Sequence, residues 1–75
     1  MNLKVKYFGM IAEALGKESE VLHVNFLTVD QLQQHYRNKI KNVNYKIAVN
    51  HNLVDGNYLL KENDEVALLP PFAGG

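Results

Sequence analysis

Apolar and polar residues alternate strictly from Leu3 to Phe8, with Leu3, Val5 and Tyr7 on one side and Lys4, Lys6 and Phe8 on the other. A period of two marks a half-buried strand. Phe8 falls on the lysine side, where the core cannot cover its ring, and is a candidate contact residue. An ordinary exposed aromatic, or a ring turned inward past the end of the strand, is the plainer alternative. The period then changes. Met10, Ile11, Ala14 and Leu15 recur at helical spacing, and Gly16 stands where a left-handed residue closes a helix, which predicts a short helix over 10–15. From Glu18 to Val24 a weaker alternation returns, with Leu22 and Val24 in phase with Phe26 and His23 pointing outward. It reads as a second strand lying back beside the first.

Thr28-Val29-Asp30-Gln31 is the clearest start signal in the chain. Thr28 can cap the free backbone donors while Gln31 reaches back, and Asp30 suits the positive end of the helix dipole. Val29, Leu32, Tyr36 and Ile40 follow at spacings of three and four, so the main helix is predicted over 29–41. The basic residues Arg37, Lys39, Lys41 and Lys46 near and beyond its end read as a solvated face. Strand pattern resumes at Tyr45 to Asn50, His51-Asn52 reads as a turn, and Leu53-Val54 is again extended before the turn signal Asp55-Gly56-Asn57. Tyr58 to Leu60 is short and apolar. After the polar turn Lys61 to Asp64, the last strand runs from Glu65 to Leu69, with Val66 and Leu68 on one face and Glu65, Ala67 and Leu69 on the other, and meets Pro70.

This order predicts an α+β domain in which one amphipathic helix covers one face of a mixed sheet and leaves the other face free. At 75 residues the chain reads as a single domain over 1–75, with 70–75 a protruding tail and no room for a large enclosed active site. Eight basic and eight acidic side chains cancel, so no overall field draws it to nucleic acid or to an anionic membrane. With no apolar signal core and no spanning run, a soluble cytoplasmic protein is expected. The chain has no cysteine, which excludes disulfides, thiolate metal sites and a cysteine nucleophile. His23, His35 and His51 lack metal-ligand spacing, and no metal is expected. Glu62, Asp64 and Glu65 read as a solvated turn.

The chemistry that remains is at the end, Leu68-Leu69-Pro70-Pro71-Phe72-Ala73-Gly74-Gly75. Two glycines without Cβ atoms make a segment thin enough for a narrow channel, and the prolines stop the strand and stiffen its exit. The α-carboxylate of Gly75 is ionised at neutral pH and reacts only after activation by another enzyme. A loose chain end would carry the same residues, and that alternative stands at this point.

The ending Asp64 to Gly75, the segment Ala48-Val49-Asn50, the opening Lys4-Val5-Lys6-Tyr7-Phe8 and the extra helix at 10–15 together resemble the small, sulfur-carrying subunits of molybdopterin synthase, a family of ubiquitin-like β-grasp proteins. The resemblance spans essentially the whole chain. It implies that the first and last strands are parallel neighbours, so that Phe8 and Leu69 meet on the outward face, and that Phe8, Leu53, Leu69 and Phe72 dock a partner. It further implies that an adenylating enzyme similar to ubiquitin-activating enzymes uses ATP to join Gly75 to AMP, and that a sulfurtransferase then yields a thiocarboxylate. The large synthase subunit, as part of a heterotetramer, would bind the tail Pro70, Pro71, Phe72, Ala73, Gly74 and Gly75. There the sulfur would enter cyclic pyranopterin monophosphate to build the dithiolene of the molybdenum cofactor. The chain binds no cofactor itself in this reading and supplies a reactant instead of catalysing alone. Alternatives are a sulfur carrier for thiamine synthesis or another pathway, a ubiquitin-like protein modifier, and an interaction domain with an inert tail.

Overall fold

The structure, a computed structural model, describes residues 1–25, 27–41 and 44–70. The elements are β1 (Asn2–Tyr7), α1 (Gly9–Leu15), β2 (Ser19–His23), α2 (Val29–Tyr36), β3 (Lys46–Val49), β4 (Asn52–Leu53) and β5 (Glu65–Leu69). The strands form one sheet in the order β2-β1-β5-β3-β4. β1 and β5 are parallel, and the remaining pairs are antiparallel. This is the β-grasp arrangement.

The alternations in β1 and β5 decide which side of the sheet is covered. Leu3, Val5, Tyr7, Val66 and Leu68 enter one core with Ile47 and Val49 of β3, Ile11 of α1, and Val29, Leu32 and Tyr36 of α2. α2 begins as its sequence requires. Thr28 accepts from the Gln31 N–H at 3.3 Å, and the Gln31 side chain accepts in return from the Thr28 N–H at 3.0 Å. α1 ends at Gly16 with φ 74°, the left-handed closure its sequence predicts.

Four sequence expectations are corrected. α2 stops at Tyr36 instead of Lys41: Arg37 N–H bonds to Gln34 O and Lys39 N–H to Tyr36 O, so the chain tightens into turns. Ile40 nevertheless returns to the core, 5% exposed, which is why its spacing imitated a longer helix. In α1 only the Ile11 row faces inward, with Leu15 packed against the core, whereas Met10 is 62% exposed. The β3–β4 turn is Asn50-His51, one residue earlier than read, with φ of 50° and 73°. Two successive positive φ values suit a two-residue hairpin between right-twisted strands. Finally, Asp64 is not solvated. It is 7% exposed, accepting from Lys61 N–H at 2.8 Å and from the Asn50 side chain at 3.0 Å.

Candidate functional site

On the face away from α2, the pairing registers set the outward residues in rows across the sheet. Lys6, Ala67, Ala48 and Leu53 form one row, taken from β1, β5, β3 and β4 in turn. Leu69 faces Lys46 in the next row. Phe8 extends that row from the other side, because its backbone stays extended (φ −130°, ψ 150°) one residue beyond β1 while it caps α1. The centre of this face therefore carries two alanines between larger neighbours. The result is a hollow of about 280 Å³, floored by Ala48 and Ala67 and walled by Phe8, Leu69, Lys6, His51 and Glu65. Its size is below the roughly 300–1,000 Å³ typical of small-molecule sites, which favours contact with a protein side chain.

Phe8 is 43% exposed and Leu53 is 63% exposed. Leu69 is half-buried, as is Pro70, which begins the exit from β5. The structure thus brings Phe8 and Leu69 to one hollow and sets Leu53 at the sheet edge on the same face, one residue beyond Ala48. Phe72, and with it Pro71, Ala73, Gly74 and Gly75, lies outside the described residues. The Glu65 carboxylate lies 3.3 Å from the Lys6 ammonium and 3.7 Å from His51 Nε2. Such exposed pairs contribute little stability and leave the face adaptable.

Behind the Phe8 end of β1 lies a polar cluster that sequence reasoning missed. The Tyr7 and Tyr36 hydroxyls are 2.6 Å apart, their rings meet edge to face at 5.9 Å, and Tyr7 donates to Glu20. Burial pushes the Tyr36 hydroxyl up to about 12, and burial followed by the Glu20 hydrogen bond raises Tyr7 further. The bond from Tyr7 holds Glu20 below the usual carboxylate range, with Lys17 assisting from 3.2 Å. The cluster ties β1, β2 and α2 together just before the chain reaches Phe8. Its signal was present: Glu20 shares the phase of Leu22 in β2, and two tyrosines on predicted core faces each needed a polar partner.

The three histidines sit on separate elements. His23 bonds to Asn2, His35 stacks edge to face on Tyr36, and His51 occupies the hairpin. Among the described residues no group of three or more His, Cys, Asp or Glu side chains is disposed to hold a metal ion. No helix is long and apolar enough to cross a membrane.

Comparison with known proteins relates this geometry to a family. The ThiS family matches residues 5–75. The molybdopterin synthase sulfur carrier subunit of Escherichia coli (strain K12) is 31% identical, over 97% of this chain and 99% of that protein. A chain in the protein–protein complex of subunits 1 and 2 of molybdopterin-converting factor from Helicobacter pylori is 30% identical, with full coverage of both chains and a TM-score of 0.69. A Pyrococcus furiosus protein described as molybdopterin converting factor subunit 1 shares the fold, with a TM-score of 0.86 at 24% identity over 96% of this chain and 99% of that one. The match begins inside β1 and runs through every element to Gly75, so the chain belongs to the ThiS family of ubiquitin-like β-grasp proteins.

Proposed function

We propose that this chain is a sulfur carrier and the sulfur-donating small subunit of a molybdopterin synthase. The observation that carries the reading is the meeting of Phe8, Leu69 and Pro70 at one end of an uncovered sheet face. They stand at the root of a segment that ends Gly74-Gly75, in a chain akin to proteins that bear that name.

The chemistry follows from a carboxylate as the reacting group. A Gly75 oxygen attacks the α-phosphorus of ATP on an adenylating enzyme, expelling pyrophosphate and leaving an acyl adenylate. A sulfur nucleophile delivered by a sulfurtransferase adds to that carbonyl and expels AMP, which leaves a thiocarboxylate. Its sulfur is softer and more nucleophilic than the oxygen it replaces. On the large synthase subunit it attacks cyclic pyranopterin monophosphate, and water then releases the acyl group and restores the carboxylate. Each tail carries one sulfur, so a dithiolene consumes two thiocarboxylates. Acid, base and phosphate-binding groups belong to the partner, and Phe8, Leu53, Leu69 and Phe72 form the docking patch that holds the chain there.

Reconstitution tests this. The thiocarboxylated chain, mixed with a large synthase subunit and the pyranopterin precursor, should yield dithiolene product. Thiazole formation with a thiamine-pathway partner in place of that product would redirect the reading to another sulfur carrier. Persistent Gly75-to-lysine conjugates would point to a protein modifier.

A further inference from the structure

The root of the tail is held in a way that the alternation of apolar residues does not reveal. Carrying the parallel β1–β5 register two steps beyond Tyr7↔Leu68 sets Phe8 beside Leu69 and Gly9 beside Pro70. Neither Gly9 nor Pro70 can continue the hydrogen-bonded ladder. Gly9 turns the chain into α1 at φ 56°, a conformation that L side chains rarely adopt, and Pro70 has no N–H. Direct contact takes the place of the ladder. A Cβ built on Gly9 would lie 3.1 Å from Cγ of Pro70, inside the roughly 3.5–4.0 Å separation at which carbon atoms pack best. The proline ring thus fills the space that a side chain at position 9 would claim.

From this we infer that Gly9 is a positioning residue: the Pro70 ring seats on its bare backbone, and the seat fixes the chain at the point where it leaves β5. The inference rests on the sulfur-carrier reading above. Proline fixes its own φ near −65°, so anchoring the ring also orients the backbone that follows. A misplacement of about 1 Å at reacting atoms can cost about 100-fold in rate. Gly9 therefore serves the chemistry at a distance, by admitting a proline that a Cβ at position 9 would force to shift by a few tenths of an ångström.

Two measurements test the seat. In NMR spectra of the full chain, an NOE between the Gly9 Hα protons and the Pro70 ring protons is expected, and its absence in the folded protein overturns the inference. In steady-state thiocarboxylation with the adenylating enzyme, ATP and sulfide, Gly9→Ala and Pro70→Ala should each lower kcat by about tenfold or more while KM changes by less than about threefold. The double variant should lose no more than the worse single one, since both remove the same contact. Pro70→Ala introduces no backbone strain, so it keeps the test valid if Gly9→Ala folds poorly. Wild-type kcat in Pro70→Ala overturns the positioning role. A wild-type chain that accepts no sulfur would instead overturn the sulfur-carrier reading, so the two failures are distinguishable.

Discussion

Asn50→Ala removes a side chain that fastens the β3–β4 hairpin to the start of β5. The amide donates to Asp64 at 3.0 Å and accepts from the Glu65 N–H at 3.0 Å, while the backbone sits at φ 50°. Hydrogen bonds contribute roughly 0.5–1.5 kcal/mol each, more when one partner is charged. Because Asn50 is exposed, the two together are assigned about 1.5 kcal/mol. Alanine adds about 1 kcal/mol of left-handed backbone strain, for a total near 2.5 kcal/mol. Asn50→Gly loses the same hydrogen bonds without that strain and should cost about 1.5 kcal/mol. A domain of this length is expected to hold only about 4–11 kcal/mol in all, so either loss is large. Urea denaturation followed by circular dichroism measures both, and at about 4–8 °C per kcal/mol the alanine variant should melt about 10–20 °C lower. A loss of less than about 1 kcal/mol in the alanine variant, or a glycine variant less stable than the alanine one, would refute this role for Asn50.

Thr28→Ala should cost about 1 kcal/mol by thermal melting, because it breaks the capping box at the start of α2. Alkaline pH should destabilise the domain: the folded-state hydroxyl of Tyr36 is raised from 10.0 to about 12, so its contribution is complete below pH 10 and disappears as pH rises through 12. Glu20 titrates in the opposite sense, and its contribution is lost as pH falls below 4.5. Urea midpoints measured from pH 3 to 12 check both signs, and Tyr7→Phe should flatten the acid limb by removing the hydroxyl that donates to Glu20. Phe8→Asp or Leu69→Asp should weaken binding to a large synthase subunit by about 30-fold, the loss expected of a contact worth about 2 kcal/mol, measured by calorimetry. Phe8→Asp should leave the melting temperature within about 3 °C, since its ring is 43% exposed.

The sheet was legible where one signal decided the structure. β5 has the predicted bounds because strict alternation runs into a proline that cannot extend the ladder. α2 starts at the predicted residue because its capping box is local. Errors arose where a distant contact decided. Ile40 kept helical spacing after the helix had ended, since its N–H still bonds four residues back to Tyr36 O at 2.9 Å and its side chain still reaches the core. The hairpin turn fell on Asn50-His51 because Asn50 is held by Asp64 and Glu65, fourteen and fifteen positions away. Glu20 was invisible as a core partner until Tyr7 and Tyr36 were brought beside it from two other elements. Of the candidate site, alternation alone gave the outward direction of Phe8 and Leu69. Their meeting at one hollow needed the parallel register of β1 and β5, and the contact between Gly9 and Pro70 needed coordinates.

In the proposed function the Gly75 carboxylate is the group that becomes charged with sulfur. The most direct test of this is intact-mass analysis of the purified chain after incubation with the adenylating enzyme, ATP and a sulfur donor. A mass increase equal to one oxygen-to-sulfur exchange is expected, mapped by fragmentation to Gly75 and lost in the chain lacking Gly75, whose circular dichroism should match the wild type. No such exchange at Gly75, with an enzyme competent on a known carrier, would rule out a sulfur-carrying role for this chain.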